Sequence, residues 1–514
     1  MYFDRMILVL ASLVVTLASP TAHAAEKWLK AESRHFVIYS AGQRSQLDAF
    51  ARKMEKFDAL LRLLTRTQPD EAPLRLPIYV LSTAESVASL ADDKSKTTAG
   101  FYHPSKYGSF AVANREKASN KFDLGGDTVL QHEYAHHFMF RNFAFAYPAW
   151  YVEGFAEFVA TADFADEGSW TAGKPPLYRA YGLLEGADLP IEKLLFGGTA
   201  GMTPEFVESY YGRAWLLVHM LRNDKSRSGQ LETYLKALGN GIPEREAAKA
   251  FGDLATLDKS LDGYLKHKRL SYVAGKGPLD FAPTIAITEL DPLDSQLVAL
   301  TMRRQAAKDL PKTRDQLRAL AGQAPARAPV WLELALVEKE LADAQDGIAG
   351  KIAGWEAAET AVDKALTADP KLGRANLLKA EVLMEKLDSG NQRSAVAWKP
   401  VRSYIARANR ADTLDPAPLF AWYEATVRQG LEPDKLASDG LALAFSLAPE
   451  AVDLRVEYAW ELARQNKFDA AIRTIEFVVR DPHDATRGSE LLAKLRQMRD
   501  EAGKPGASDS KDAD

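Results

Sequence analysis

The 514-residue sequence contains no cysteine. Disulfide bonds are therefore excluded, and stability must come from hydrophobic cores, with any further help coming from a bound metal. Neither sign of charge is in large excess either, because the chain has 65 Lys and Arg and 70 Asp and Glu, for a formal net charge of -5. No basic stripe that could follow a phosphate backbone is present, so we expect no nucleic-acid partner.

Long apolar runs are missing after the first two dozen residues. Arg5 precedes the apolar run Met6 to Ala18, and small residues at positions 22 and 24 follow a Ser-Pro break. This pattern is typical of an export signal that is cleaved after Ala24. An uncleaved anchor is the alternative, but the run has 13 residues where a membrane-spanning helix needs about 20. We predict a signal peptide at 1–24 and a periplasmic or secreted protein without an integral membrane segment.

Strand and helix signals alternate at the start of the mature chain. β-Branched and aromatic residues fill Ser33 to Ser40 and Leu76 to Ser82, and apolar residues recur at helical spacing from Leu47 to Leu64 between them. These segments predict a strand, helix, strand unit. A third strand is predicted from Tyr107 to Glu116.

A helix is predicted from Asp127 to Asn142, and it contains the pentapeptide HEYAH. Thr128 and Gln131 have the spacing of a capping box at its start. The next helix is predicted to begin at Pro148 with the segment AWYVEGFAEFVATA. Helical periodicity then continues from Pro190 to about Leu270.

Prolines mark a repeat in the last third of the chain. Pro416, Pro449 and Pro482 follow one another at 33-residue intervals, whereas Pro370 precedes the first of them by 46 residues. The simplest interpretation of the longer interval is an insertion around SGNQRSAVAWKP. The spacing and the segment AWELARQNKFDAAIRTIEFVVRDP resemble the tetratricopeptide repeat (TPR). This resemblance implies helix pairs that stack into a solenoid with a groove for a protein partner.

The repeat sets the boundaries of the segments that we predict in the C-terminal part of the chain. We predict a connector at 276–295, TPR-like repeats at 296–500 and a disordered tail at 501–514. The tail is polar and nearly free of apolar residues, so burial cannot offset the entropy lost on ordering it.

The HEYAH pentapeptide predicts a metal site. On a helix, His132 and His136 are four positions apart, so their imidazoles share a face and can point at one centre. Glu133 lies beside the first of them and can act as general base without being a ligand. With nine histidines in the chain, about 0.01 matches to His-Glu-x-x-His are expected by chance. The alternative is an ordinary polar helix face.

Glu153 is the candidate for the third protein ligand that a catalytic zinc requires. It follows His136 after 16 intervening residues. Glu157, one helical turn further on, could accept an N–H from a ligating histidine. A solvated helix face is the alternative, but the neighbours are apolar, and an unpaired carboxylate among them would be expensive.

HEYAH followed by PAWYVEGFAEF resembles the gluzincin metallopeptidases, in which HExxH and a glutamate of a WxxEG block hold zinc. The chain also resembles the peptidase MA-like family of exported bacterial proteins, through WLKAESRHFVIYS, TAGFY, HEYAH and YYGRAWLLVHML. The resemblance implies an α+β, zincin-like domain at 25–275. It also implies Zn²⁺ ligands His132, His136 and Glu153, with Glu133 as base.

Two departures limit this resemblance. Val152 stands where the thermolysin-like enzymes have Asn before the ligand Glu. The Gly-rich exopeptidase block of the aminopeptidases is not found before HEYAH, which argues against simple aminopeptidase activity.

The resemblance also implies an oxyanion-stabilising side chain from a later helix. Tyr211 is our candidate, with Tyr210 and His219 behind it, and a core or rim position is the alternative. In zincins an edge strand before the HExxH helix pairs with extended substrate. The segment Tyr107 to Glu116 is the candidate for that strand, and a plain structural strand is the alternative.

The remaining histidines predict no metal site. His137 lies about 100° around the helix from its neighbour and is expected to be packed or exposed without a role. His35 and His103 have no partner at metal-ligand spacing.

The sequence thus predicts a zinc metallopeptidase that hydrolyses peptide bonds and whose repeats recruit a protein substrate or partner. A different class is the alternative, namely an exported TPR scaffold whose zincin-like domain is structural or of low activity. A third possibility is hydrolysis of another amide, for example in cell-wall peptide.

Overall fold

Nine strands and twenty-one α-helices make up the computed structural model, which describes residues 27–68, 74–94, 98–143, 145–165, 168–199, 201–267, 269–275, 279, 283–480 and 488–503. The predicted signal peptide lies outside the described residues. The strands are β1 (Leu29–Glu32), β2 (Phe36–Ser40), β3 (Leu76–Leu81), β4 (Phe101–His103), β5 (Phe110–Asn114), β6 (Asp163–Phe164), β7 (Trp170–Ala172), β8 (Val273–Gly275) and β9 (Ala286–Glu289).

The first ten helices belong to the N-terminal half of the chain. They are α1 (Arg44–Thr65), α2 (Ala84–Leu90), α3 (Gly126–Asn142), α4 (Ala149–Ala160), α5 (Ala180–Leu184), α6 (Ile191–Phe196), α7 (Pro204–Asn223), α8 (Gln230–Gly239), α9 (Glu244–Ala247) and α10 (Leu254–Leu265).

Eleven helices follow β9. They are α11 (Pro292–Gln305), α12 (Leu310–Gln323), α13 (Ala328–Asp343), α14 (Ile348–Ala368), α15 (Gly373–Ser389), α16 (Ala395–Ala411), α17 (Pro416–Arg428), α18 (Lys435–Leu447), α19 (Val452–Arg464), α20 (Phe468–Val479) and α21 (Ser489–Ala502).

A mixed sheet of six strands, in the spatial order β4-β5-β3-β2-β1-β9, organises the N-terminal half. Strand β2 pairs with β3 in parallel, and α1 connects them, so the predicted strand, helix, strand unit is confirmed. Strand β5 pairs with β3 on one side and with β4 on the other. The prediction that the segment Tyr107 to Glu116 forms the edge strand is therefore wrong. The short antiparallel strand β4 covers that edge.

The sheet is covered on both faces. On one face Phe36 and Ile38 pack with α1 and α3 in the largest hydrophobic core. On the other face Trp28, Tyr79 and Val112 pack with α2 and with Met302 of α11. Apolar burial on both faces makes the sheet a rigid base for the helices that carry the candidate site.

The sheet continues beyond residue 275, where the sequence places the end of the first domain. Strand β9 lies inside the predicted connector at 276–295 and pairs with β1 in antiparallel register. Helix α11, which begins in the same segment, packs on the sheet through Met302. Part of the predicted connector is thus an integral part of the N-terminal sheet.

Helix α3 begins one residue earlier than the sequence predicts, and the expected capping box is not formed. Gly125 is the N-cap and has no side chain to cap with. The backbone N–H of Thr128 donates to the carbonyl of Gly125 at 3.0 Å. The side chain of Gln131 instead donates to the carbonyl of Ala162 at 3.3 Å. A side chain at Gly126 would overlap the carbonyl of Asn114, so glycine lets the helix start directly against β5.

The C-terminal region is all helical, as predicted, within the described residues from Pro292 to Gly503. Successive helices contact each other as pairs, such as α13 with α14, α15 with α16, α17 with α18 and α19 with α20. Small residues such as Ala459 and Ala471 are completely buried where paired helices meet.

Two details of the repeat prediction need correction. The insertion predicted around SGNQRSAVAWKP is mostly helical, because α15 ends at Ser389 and α16 already begins at Ala395. Helices α15 and α16 have 17 residues each, against 13 in α17 and α18, so the longer helices account for 8 of the 13 extra residues, and the segments that flank them supply the rest. The predicted tail begins inside α21, which ends at Ala502, and residues 504–514 lie outside the described residues.

None of the helices in the described part of the chain combines the length and apolar character that a membrane crossing would require.

Candidate metal centre

Three predicted metal ligands converge between α3 and α4. The Nε2 atoms of His132 and His136 are 3.0 Å apart. Atom Oε2 of Glu153 lies 3.2 Å from Nε2 of His132 and 3.6 Å from Nε2 of His136. Within the described residues these side chains form a group that could hold a metal ion.

The donor atoms fit zinc in type and spacing. Two imidazole nitrogens and one carboxylate oxygen are a common protein donor set for zinc. Nitrogen and oxygen ligands lie about 2.0–2.1 Å from the ion, so corners of a tetrahedral site are about 3.3 Å apart. The three observed separations, 3.0, 3.2 and 3.6 Å, lie on both sides of that value.

The centre is largely buried but remains accessible to solvent. The side chain of Glu153 is 0% exposed, that of His136 is 3% exposed and that of His132 is 12% exposed. Burying a carboxylate completely is costly unless a positive charge or hydrogen bonds accompany it. Solvent reaches the group from the His132 side.

The charge balance of the site favours a cation. Burial lowers the pKa of His132, but its hydrogen bond with Glu153 and the charges of Glu157, Glu153 and Glu133 outweigh this effect and raise the pKa to about 9. The carboxylates thus hold a positive charge between the imidazoles. A divalent ion would replace that proton, because zinc binds the deprotonated ring.

Glu157 lies behind His132, on the side away from His136. Its Oε1 atom is 3.5 Å from Nδ1 of His132, a separation longer than a good hydrogen bond. The same carboxylate accepts hydrogen bonds from Tyr178 at 2.9 Å and from Arg179 at 2.7 Å. Glu157 is therefore held in place at the imidazole of His132, where the sequence predicts it.

Tyr211 reaches the centre from α7. Its ring centroid is 6.0 Å from that of His132, and the guanidinium of Arg179 lies 4.7 Å from the same tyrosine ring. Burial first, and then the negative charge of Glu153, raise the pKa of Tyr211 well above its ordinary value. The phenol is consequently protonated at neutral pH and can donate a hydrogen bond.

Gly154 explains why α7 can approach so closely. A Cβ at this position would overlap the backbone carbonyl of Ala214 on α7. Glycine after Glu153 lets α4 and α7 pack backbone against backbone. This packing brings Tyr211 to the imidazole of His132.

Glu133 is half-buried on α3. Its negative charge is close enough to raise the pKa of both His132 and Tyr211. It is not part of the group of three that could hold the ion, which leaves its carboxylate available for proton transfer.

The other two candidates for the oxyanion role are Tyr210 and His219, and the charge of Glu153 also helps to raise the pKa of Tyr210, after burial. Tyr210 is completely buried in the core. The Nε2 atom of His219 lies 2.6 Å from the carbonyl oxygen of Ser271, and its Nδ1 is 3.0 Å from the hydroxyl of Tyr264. Of the three candidates that the sequence offers, Tyr211 contacts the centre.

The histidines without a predicted role have structural partners. The Nδ1 atom of His137 is 2.9 Å from the hydroxyl of Tyr102, and burial together with Arg141 lowers the pKa of this histidine to about 3. His35 is paired with Glu55, at 2.6 Å. His103 lies on β4, with its ring centroid 5.3 Å from that of Phe110.

Sequence reasoning missed Tyr178 and Arg179, which hold Glu157. Arg179 also contacts Glu208 at 3.0 Å. Both missed residues lie in a single 3₁₀ turn, Leu177–Arg179, in a stretch without helical or strand periodicity. No pattern in one sequence connects such a turn to a glutamate on α4.

No protein-family model matches the chain, and no curated protein matches it. Among the solved structures, a similarity is found to the "MamA RS-1 ArsTM double mutant", with 13% sequence identity, over 41% of this chain and 97% of that chain. The TM-score of this similarity is 0.26. At that value it identifies neither the fold nor the function of the present chain.

Proposed function

We propose that this protein is a zinc-dependent peptidase with a zincin-like N-terminal domain. One observation carries the proposal: Nε2 of His132, Nε2 of His136 and Oε2 of Glu153 lie within 3.0–3.6 Å of one another. Glu133 and Tyr211 adjoin the same group. An arrangement that served stability alone would need the three ligands but neither of these two side chains.

His132, His136 and Glu153 would hold the ion through the atoms that face one another. Zinc bound there would supply Lewis acidity, which polarises a scissile carbonyl and makes a water more acidic. The protein's contribution is to fix the ligands, and the ion pair between Glu157 and Arg179 supports that role by keeping a carboxylate at the imidazole of His132.

Glu133 is proposed as the general base. Its carboxylate takes a proton from the attacking water and returns it to the nitrogen of the leaving amine. Its half-buried position beside His132 supports this role.

Tyr211 is proposed to donate its phenolic hydrogen to the oxygen of the scissile carbonyl as negative charge develops there. The raised pKa of Tyr211, which results mainly from burial, keeps the donor protonated. Donors of this kind typically contribute about 3 kcal/mol to stabilising the transition state. Arg179 holds the tyrosine ring from the other side, at 4.7 Å.

We further propose that the chain is exported through the signal at residues 1–24 and that its repeats offer a surface for protein substrate or partner. The α11–α20 helix pairs support the second part, since stacked pairs form extended surfaces of this kind.

Metal analysis and hydrolysis assays on the purified protein test the proposal. We expect about one zinc per chain in the wild type, loss of zinc in His132→Ala, and retained zinc without hydrolysis of unfolded casein in Glu133→Gln. His103→Ala is the matched control, because His103 is exposed on β4 and should leave zinc and hydrolysis unchanged. A wild-type protein that binds no zinc, or a Glu133→Gln variant as active as wild type, contradicts the proposal.

A further inference from the structure

One face of the helical repeats carries acidic and aromatic side chains from three helices. Glu381 lies on α15, Phe420 and Glu424 lie on α17, and Glu457 lies on α19. Helices α15 and α17 contact each other directly as well as their own pair partners. We call the surface formed by these four residues the acidic face.

The acidic face is occupied by a loop of the N-terminal domain. This loop, residues 104–109, connects β4 with β5. The ammonium of Lys106 lies 4.2 Å from the ring centroid of Phe420, and Arg374 of α15 lies 3.9 Å from the ring centroid of Tyr107. At the end of the loop, the hydroxyl of Ser109 donates to Oε1 of Glu450 at 3.4 Å.

The charge of the loop is opposite to that of the face. Burial raises the pKa of both Glu424 and Glu457, and the positive charge of Lys106 opposes that shift in each case. Burial first, and then the charge of Glu381, raise the pKa of Tyr107 well above its ordinary value. The loop thus supplies one cation and one phenol to a surface with several carboxylates.

The loop is built to present these two side chains. The backbone N–H of Tyr107 donates to Oγ of Ser105 at 3.1 Å, and the N–H of Ser105 donates to Oγ of Ser109 at 3.2 Å. Gly108 has a φ of +105°, a conformation that side chains with a Cβ rarely adopt. The resulting turn points Lys106 and Tyr107 away from the sheet.

The contact is partly open to solvent. Tyr107 remains 46% exposed, whereas Glu381 and Phe420 beneath the loop are buried. Cation–π contacts at exposed sites contribute about 0.5–1 kcal/mol each. Phe420 belongs to a hydrophobic core cluster of the repeat region, so a competing segment must cover this ring again, which a segment with the same Lys-aromatic chemistry would do.

We propose that the acidic face is a binding site for a protein segment that presents a Lys-aromatic pair, and that the 104–109 loop occupies this site within the same chain. A partner protein with an exposed Lys-aromatic segment would compete with the loop. This inference goes beyond the proposed hydrolysis and does not depend on a bound metal.

The 104–109 loop lowers the apparent affinity of the acidic face for a partner. A site that is open in only a fraction of molecules binds a competitor with an apparent affinity lowered by that fraction. Removing the two loop side chains should therefore strengthen binding of a competitor, which is the opposite of the usual effect of deleting surface residues.

The test measures binding of the fluorescein-labelled peptide HPSKYGSF, the sequence of residues 103–110, by anisotropy. The full chain is compared with the emptied variant, Lys106→Ala/Tyr107→Ala. We expect the emptied variant to bind at least about tenfold more tightly than wild type. Added Glu424→Lys should reverse this gain, because it places a positive charge beside the peptide lysine. Binding should also weaken at high salt.

The chain offers a matched control in Lys121→Ala/Phe122→Ala. Lys121 and Phe122 form an equivalent pair, with 5.0 Å between ammonium and ring centroid, on an exposed stretch before α3. This variant should bind the peptide as wild type does. Thermal unfolding should show that every variant is folded.

A second measurement reports on the loop itself. Excess peptide should increase hydrogen exchange of residues 104–109 in the wild-type protein, because the displaced loop loses its contacts. Equal peptide affinity in wild type and the emptied variant, or peptide binding that Glu424→Lys leaves unchanged, would overturn the proposal. Zinc content should be the same in all of these variants, so this test and that of the proposed hydrolysis can fail separately.

Discussion

Arg179 donates two hydrogen bonds to the same oxygen of Glu157, from Nε at 3.0 Å and from Nη2 at 2.7 Å. The Glu157 side chain is 1% exposed and that of Arg179 is 14% exposed. The pair is therefore a nearly buried ion pair, and it lies directly behind His132. In such a pair each charge makes the burial of the other tolerable.

Arg179→Ala should destabilise the protein strongly because it leaves the carboxylate of Glu157 buried without a cation. We expect a loss of about 3–5 kcal/mol in the free energy of unfolding. Adding Glu157→Gln should recover a substantial part of that loss, since the buried charge is then gone. Denaturant unfolding of the four proteins of this double-mutant cycle measures the coupling.

Glu208 provides the control for that cycle. It contacts the same guanidinium at 3.0 Å, but its side chain is 42% exposed. Glu208→Gln should therefore cost less than about 1 kcal/mol. Losses for Arg179→Ala and Glu157→Gln that simply add in the double variant would contradict the role assigned to the pair.

Tyr211→Phe should reduce turnover without removing zinc. The variant keeps the ring that contacts His132 and loses only the hydrogen-bond donor. If the phenol stabilises the transition state, kcat should fall by about 10²–10³, whereas KM and zinc content should change little. Steady-state hydrolysis of a peptide library, together with metal analysis, measures these three quantities.

Tyr210→Phe is the matched variant on the adjacent position. Tyr210 is completely buried, so it cannot touch a substrate, and its loss of a hydroxyl should leave kcat nearly unchanged. Equal loss of kcat in both variants would show that Tyr211 acts through the packing of α7.

Local patterns made part of the fold predictable. The apolar residues of α1 recur within one or two helical turns, so periodicity predicts this helix. The start of the HEYAH helix is predicted from the spacing of Thr128 and Gln131, although the capping box itself is not formed. The pairing of β2 with β3 follows from the helix between them. Grouping His132 with Glu153 required the resemblance as well, because periodicity does not say which faces of two neighbouring helices meet.

Non-local contacts could not be predicted in this way. Strand β9 pairs with β1 across most of the N-terminal half, and β4 has only three residues, too few for a periodic signal. Arg179 lies in a turn, and its partner Glu157 was assigned from its spacing on α4. The contact of Lys106 with Phe420 joins two regions that the sequence describes as separate domains.

Gly154→Ala should destabilise the protein even though alanine is the better helix former. The added Cβ would overlap the carbonyl of Ala214, so α4 and α7 must move apart. Overpacking of this kind costs about 1–3 kcal/mol, which exceeds the gain of about 1 kcal/mol in helix propensity. Denaturant unfolding measures the net change, and the Tyr211 contact should loosen with it.

Gly263→Ala tests the same substitution without the overlap. Gly263 lies in α10 and a Cβ there meets nothing within 4 Å. This variant should be more stable than wild type by about 0.4–1 kcal/mol. Stabilisation of the same size by Gly154→Ala would show that α4 and α7 do not need glycine at their crossing.

Glu461 connects three helices of the repeat region and should make its stability depend on pH. It accepts hydrogen bonds from Ser438 on α18 at 2.6 Å and from Tyr423 on α17 at 3.1 Å, and Arg464 of its own helix donates at 2.7 Å. Burial alone would raise the pKa of Glu461, but the hydrogen bonds from Arg464, Ser438 and Gln465 outweigh it and lower the pKa to about 2.

The depressed pKa of Glu461 fixes the sign of the effect. Between about pH 4.5 and pH 2 the unfolded chain binds a proton at this position that the folded chain does not. The free energy of unfolding therefore decreases as the pH is lowered through that window. We expect Glu461→Gln to cost about 2–3 kcal/mol at pH 7 and clearly less at pH 3. Glu457→Gln, one turn earlier on α19, should show no such loss, because burial raises the pKa of Glu457. Denaturant unfolding at both pH values measures the loss of stability. A loss for Glu461→Gln that is as large at pH 3 as at pH 7 would show that the packing of this side chain, and not its charge, stabilises the protein.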